Sequence, residues 1–546
     1  MTFNADGIDT HKDFIRSKSA YLMAVSASWG GMMFGWTLGM IGGILPRQAF
    51  KRSFGIGDDP IASADIVGWI VVINQLGCFV GALMTAVLSD RCGRKKTLLL
   101  GGAIYVIGST LQVTPKIFYT DAPKAALAYL NLTRAIAGIG VGLVSPVVPT
   151  YISESSPKHI RGRLTGMYQL FLVFGIAGSF WVNYGLFELY GDDPQKEALW
   201  QIAFGIQAIP GALLLYSMSY QHESPRWLAE QGRLDDMQHV LAKLRGTTEN
   251  DPEGATEAYA IKKDVQSRTK LTLGEQAKEA GSSKRMLYRC SIPMIVMAFG
   301  QLTGINAMNY YSPTVFRQLG LSETAAGLFG TGIYGVVKII VTIVALAMGV
   351  EQYGRKALLV WGGLGQATCM IFIGIYVLLH PHGEWDLMSY LAIASLYLYI
   401  TFFSLGWSVA SWAVMTECVP NHLRSLTMAL GMVSMWSTTI LVSKLTPIFL
   451  NKISWGTYFI FGVATLVAVL WAILLYPETG GYAIEDIHGL FEDVVKQSLH
   501  YNRYLLRRPP MRRGYTHLRE NEEADSDGFE PTRASFDSAT TVDRLL

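Results

Sequence analysis

Glu154-Ser155-Ser156-Pro157-Lys158-His159-Ile160-Arg161-Gly162 is met again as Glu417-Cys418-Val419-Pro420-Asn421-His422-Leu423-Arg424-Ser425. Glu, Pro, His and Arg recur at identical spacing, and each copy directly follows a long apolar segment. Two more pairs flank these in the same order. Asp90-Arg91-Cys92-Gly93-Arg94-Lys95 is matched by Glu351-Gln352-Tyr353-Gly354-Arg355-Lys356, and Glu223-Ser224-Pro225-Arg226 by Pro477-Glu478-Thr479. One such match could be chance. Three in one order describe a chain built from two halves of about 260 residues, and a repeat constrains the fold before any local signal.

The 546 residues are 50% hydrophobic and 16% charged, where soluble domains carry about 25% charge. Mean hydropathy is +0.28. A membrane-spanning helix needs about 20 mostly apolar residues. Ten segments hold no Asp, Glu, Lys or Arg: 19–46, 66–89, 97–115, 164–187, 198–222, 290–316, 357–383, 387–416, 425–443 and 453–477. Two more, 125–153 and 324–350, hold one cation each, Arg134 and Lys338. The expectation is an all-α membrane protein of twelve helices, six per half. It divides into an N-terminal segment 1–18, bundles 19–222 and 290–477, a central loop 223–289 and a tail 478–546. In the fourth segment Gly138, Gly140 and Gly142 predict close packing on a neighbour.

Arg91, Arg94, Lys95 and Lys96, then Lys158, Arg161 and Arg163, then Arg355 and Lys356, then Arg424 fall in alternate loops. The positive-inside rule makes those loops, and both termini, cytoplasmic. Arg47, Lys51 and Arg52 dissent from the opposite side. In the central loop the apolar residues Trp227, Leu228, Leu234, Val240, Leu241 and Leu244 stand among charges, as in short amphipathic helices. The Ser/Thr-rich acidic tail has the composition of a disordered segment. The five cysteines make no CxxC or metal-ligand pattern, so neither a disulfide framework nor a metal site is expected. No basic block with interleaved aromatics suggests nucleic acid. No nucleophile–base set or phosphate loop suggests an enzyme, and no cofactor is expected.

The residues closely resemble the sugar porter family of the major facilitator superfamily, in its fungal branch. The stretches that carry the resemblance include Phe34-Gly35-Trp36, Arg134…Gly138-Ile139-Gly140-Val141-Gly142, Pro149-Thr150-Tyr151-Ile152-Ser153-Glu154, Glu223-Ser224-Pro225-Arg226-Trp227, Gln301-Leu302-Thr303-Gly304-Ile305-Asn306, Tyr310-Tyr311-Ser312-Pro313 and Pro477-Glu478-Thr479-Gly480. Together they cover residues 30–490. The resemblance implies two bundles that alternate access to a central site for a ring-shaped polyol. It implies that Gln169, Gln301 and Asn306 are substrate-binding amides, with Trp412 and Trp436 flanking the ring. Amides suit a sugar because they donate and accept at once. It further implies that Asp90, Arg94, Glu154, Arg161, Glu351, Arg355, Glu417 and Arg424 latch the bundles together at the inner face. The latch would close in the outward-facing state.

The chain departs from the family where coupling and specificity are decided. Proton-coupled members carry Asp after Phe-Gly-aromatic, where this chain has Thr37. Their carboxylate partners an arginine that matches Arg134. Gly300 stands where a second glutamine is common, Ser408-Val409 replaces Gly-Pro, and Met435 stands at the site of an Asn. No helix holds a carboxylate at its middle, which argues for facilitated diffusion. Lys338 stands where many members have a neutral Asn lining the cavity. A charge at mid-membrane costs about 2.5–3.5 kcal/mol or more and is functional by default. Lys338, Arg134 and Thr37 therefore join the candidate binding residues.

The leading expectation is a monomeric plasma-membrane carrier for a monosaccharide or related polyol, with the lipid bilayer as its other partner. The alternatives are a carrier for quinate or a sugar acid, with or without proton coupling, and a transporter-like nutrient sensor.

Overall fold

The computed structural model describes residues 17–57, 59–157, 160–191, 193–248, 251–267, 273–321, 325–348, 354–380, 386–419, 423–479 and 491. Every regular element among them is helical. The first half contains α1 (Lys18–Ile44), α2 (Pro60–Cys92), α3 (Arg94–Leu111), α4 (Pro123–Ser155), α5 (Arg161–Tyr190) and α6, in two pieces (Ala198–Ile206 and Ala208–Ser219). The second half contains α7 (Lys284–Leu302 and Ile305–Gln318), α8 (Ala325–Met348), α9 (Arg355–Leu379), α10 (Leu387–Leu405 and Trp407–Glu417), α11 (Arg424–Lys452) and α12 (Trp455–Leu475). Ten of the twelve are long and apolar enough to cross a membrane; α1 and α3 are the two that fall short by hydropathy.

The repeat seen in the sequence is a repeat of packing. In the first half α1 packs on α5, α2 and α3 on α4, and α6 on α3. Six helices later α7 packs on α11, α8 and α9 on α10, and α12 on α9. The halves meet along α2 with α11, α5 with α8, and α1 with the second piece of α7.

Small residues make these approaches possible. A methyl at Gly138 would lie 2.1 Å from Asn74 O, and one at Gly142 2.1 Å from Cys78 O, both on α2. One at Gly140 would meet Gly101 O on α3 at 2.6 Å. Residues 138, 140 and 142 thus serve two neighbours, because successive even positions turn about 200° around a helix.

At the end that carries the basic loops, the central segment forms helices Pro225–Glu230, Leu234–Arg245, Pro252–Ser267 and Leu273–Ala280. Trp227, Leu228, Val240, Leu241 and Leu244 are buried there and Leu234 is half-buried. At the opposite end the dissenting Arg47 is buried, with Nε donating to Gly43 O at the end of α1 and the guanidinium 4.3 Å from the Phe187 ring. A cation at a helix C-terminus is favoured by its free carbonyls. The 1–16 segment and all of the tail after Thr479 except Phe491 lie outside the described residues.

Candidate functional site

Two helix breaks shape the centre of the bundle. Gly304 separates the pieces of α7 with φ +90°, a conformation that favours glycine, and a methyl there would lie 2.8 Å from the Phe461 ring. Gly406 separates the pieces of α10, where a methyl would lie 2.6 Å from Leu358 O. Five residues apart on a straight helix, Gln301 and Asn306 would point away from each other. The break brings Asn306 Nδ2 within 2.7 Å of Gln301 Oε1, to which it donates.

A cavity of about 90 Å³ lies beside these breaks, between the halves. Its lining takes Gln169 from α5 and Gln301, Asn306 and Asn309 from α7. It takes Lys338 from α8, Trp412 and Ser411 from α10, and Trp436 and Thr439 from α11. Gln169 Nε2 donates to Ser408 Oγ at 2.9 Å, which ties α5 to α10 across the cavity. Trp436 packs against Phe34, ring centroids 5.4 Å apart, and its indole nitrogen has no protein acceptor among the described residues. The three amides, two tryptophans and lysine expected from the sequence thus converge. Asn309 and Ser411 were missed; the i, i+3 spacing of Asn306 and Asn309 was the signal available for the first.

Two expected binding residues lie elsewhere. Thr37 donates to Met33 O at 3.0 Å and bonds Tyr105 Oη at 3.1 Å, so it faces α3. Arg134 is buried and donates from Nε to Ile70 O on α2 at 2.8 Å. Neither lines the cavity. Helical spacing marks both as interior but does not say which interior neighbour each meets.

The paired charges form two like joints at the basic end. Arg94 donates from Nε and Nη2 to the two oxygens of Glu154, both at 3.1 Å, and Asp90 lies 3.2 Å from its Nη1. Glu223 accepts from the backbone N–H of Arg94 and of Lys95. In the second half Arg355 donates from Nη2 to Glu417 at 2.7 Å and from Nε at 3.1 Å. Glu478 accepts from the backbone N–H of Arg355 and of Lys356. In this structure both joints close within a half, whereas the expected pairing across the halves belongs to the outward-facing state. Arg161 opens α5 on the exposed surface. Glu351 and the side chain of Arg424 lie outside the described residues. Burial raises the Glu230 carboxyl above its ordinary range, opposed by Arg94, whose Nη2 is 3.9 Å away.

No ion pair between described residues joins the halves at the basic end. At the opposite end one does: Lys444 Nζ on α11 lies 2.7 Å from Asp65 Oδ1 on α2 and 4.4 Å from the Trp69 ring. Gln75 on α2 donates to Ser443 Oγ at 2.7 Å, and Tyr311 on α7 donates to Ser443 O at 3.1 Å.

The sequence profile of the family described as "Sugar (and other) transporter" matches residues 23–491. The chain belongs to this family. Among curated relatives, a probable quinate permease of Aspergillus fumigatus is 34% identical over 86% of this chain and 87% of its own length. A quinate permease of Emericella nidulans is 33% identical over 92% of each chain. Among solved structures, the xylose transporter XylE from E. coli in a partially occluded inward open conformation matches with a TM-score of 0.72. It is 26% identical, over 86% of this chain and all of its own. The chain is therefore a multi-pass membrane carrier of the major facilitator fold and not an enzyme.

Proposed function

We propose that this carrier moves a small polyhydroxylated ring, a monosaccharide or related cyclic polyol, by alternating access and without proton coupling. The observation that carries this reading is the cavity between the halves, where the amides of Gln169, Gln301, Asn306 and Asn309 face Trp412 and Trp436. Hydroxyls need partners that both donate and accept, and a ring face needs a flat apolar one. With the basic loops in the cytoplasm of a plasma-membrane protein, the contacts through Asp65, Lys444, Gln75 and Ser443 close the outer side. Rocking of one half on the other then breaks these contacts and exposes the site outward.

Gln169→Ala should weaken apparent substrate affinity about three- to tenfold, the worth of one neutral hydrogen bond, with surface abundance unchanged. Radiolabelled uptake in a transport-deficient yeast, across hexoses, pentoses, polyols and quinate, measures this. Unchanged affinity would make Gln169 a strut between α5 and α10 rather than a binding residue.

The absence of coupling rests on the lining, which among the described residues includes no Asp or Glu, and on Thr37. A proton-coupled carrier needs a group in the path that gains and loses a proton, and arginine cannot serve. A protonophore should not lower initial uptake. Alkalinisation of an unbuffered medium on adding substrate would overturn this, with Glu154 and Glu417 as the next proton carriers to examine.

A further inference from the structure

The buried cations of this chain differ in what they meet. Arg94 and Arg355 face glutamates, Arg134 faces a backbone carbonyl at 2.8 Å, and Lys356 Nζ reaches Ile473 O at 2.9 Å. Lys338 is 3% exposed, and its Nζ reaches the amide oxygen of Asn309 at 3.4 Å. That is longer than the 2.7–3.2 Å of an ordinary N–H···O bond. The same oxygen also receives Tyr334 Oη at 3.5 Å. An ammonium has three donors and no acceptor, so one shared, long contact leaves it short of acceptors. Of these cations Lys338 is the one in the cavity wall, and among the described residues no carboxylate lines that wall.

Asn309 is the last amide of a directional ladder. Its Nδ2 lies 3.5 Å from Asn306 Oδ1, and Asn306 Nδ2 donates to Gln301 Oε1 at 2.7 Å. Because lysine only donates, it turns the Asn309 oxygen towards itself, and each amide nitrogen then points down α7. A neutral ring is served by the amides. Among the described lining residues the ammonium is the one cation, matched to a negative charge. Two more donors in the lining, Trp436 Nε1 and Ser411 Oγ, have no protein partner among the described residues.

We propose that Lys338, held by Asn309, is a carboxylate subsite, so that the ring this carrier prefers bears an acid group. The inference rests on the reading of the cavity as a polyhydroxylated-ring site and narrows its substrate class to cyclic polyol acids. Beside a protein wall a fixed cation attracts an anion more strongly than it would in bulk solvent.

The test is ligand binding to the purified full-length carrier, followed by quenching of tryptophan fluorescence. The probes are two acids, quinate and galacturonate, and two neutral rings, myo-inositol and galactose. In the wild type an acid should bind at least about tenfold more tightly than its neutral counterpart, the size of one charge-assisted contact. Lys338→Gln keeps a donor and removes the charge. It should lose that tenfold preference, read as the ratio of acid to neutral affinity within the variant itself. Asn309→Asp supplies an internal anion to Lys338 and should remove the preference with the ammonium still in place. Neutral binding with no acid preference in the wild type, or an acid preference that survives in Lys338→Gln, overturns the subsite and leaves the carrier reading standing. If the Gln variant does not fold, Asn309→Asp decides by the same criterion. If neither acids nor neutral rings bind, the cavity reading fails and the subsite with it.

Discussion

Gly35→Val should leave almost no folded carrier in the membrane. A Cβ at Gly35 on α1 would lie 1.8 Å from Leu172 O and 2.8 Å from Leu172 C on α5. Both are backbone atoms of a helix, so no side-chain rotation relieves the overlap. The contact continues in both directions, with Gly31 against Tyr168 O at 2.5 Å and Gly39 against Ile176 O at 2.8 Å. The stripe is reciprocal, because a methyl at Gly175 would lie 2.3 Å from Met32 O. Residues four apart share a helix face, so α1 and α5 touch backbone to backbone over two turns. In lipid there is little hydrophobic drive to hold helices together, and this close packing replaces it. Inserting extra atoms into a packed core costs about 1–3 kcal/mol when side chains can shift; here the cost lies above that range. Gly185 on the same α5 has nothing within 4 Å of its would-be Cβ and is the control. Extracted protein should run as a monodisperse peak on size exclusion for Gly185→Ala and be lost for Gly35→Val. Equal yield and melting temperature in both variants would sink the packing argument.

The glycine stripe shows what a sequence of this kind discloses. The apolar segments and the doubled motifs set out an all-α chain in two like halves, because a bilayer admits few other solutions. Segment ends were less legible. The apolar run 425–443 stops at Lys444, yet α11 continues to Lys452. The lysine is accommodated there by Asp65 on another helix, a partner 379 residues away that no local pattern reveals. The amides and tryptophans of the site were legible through the family resemblance, not through composition: Trp69, Trp361 and Trp455 lie in equally apolar helices and are exposed. Thr37 and Arg134 are also interior, but the inside of a twelve-helix bundle has several faces. A single helix does not say whether Thr37 meets the cavity or Tyr105. The charged pairs raise the same difficulty. Two copies of Arg and Glu at matched spacing leave one signature whether each pair closes within its half or across to the other.

Arg355→Ala should lower the stability of the second half by about 3 kcal/mol, at the low end for removing one partner of a buried ion pair. Glu417 accepts two hydrogen bonds from Arg355 and one from Thr479 Oγ1 at 3.1 Å. The side chains of the pair are 10% and 24% exposed. Without the guanidinium, Glu417 keeps only the threonine and is left as a half-buried, uncompensated charge. The double variant Arg355→Met with Glu417→Gln removes the charge and its partner together, so it should recover most of the loss. SDS-induced unfolding of the four members of this cycle gives the coupling between the two residues. The joint ties α9 to α10, both in the second half, so the single variant should not change which side of the membrane reaches the cavity. A cysteine at Gly300, in the cavity wall, labelled by an impermeant thiol reagent from either side, reports this. If Arg355→Ala unfolds like the wild type but shifts that labelling from one side to the other, the arginine acts between the halves. The joint would then be one state of a latch whose other state pairs Arg355 across the bundle interface.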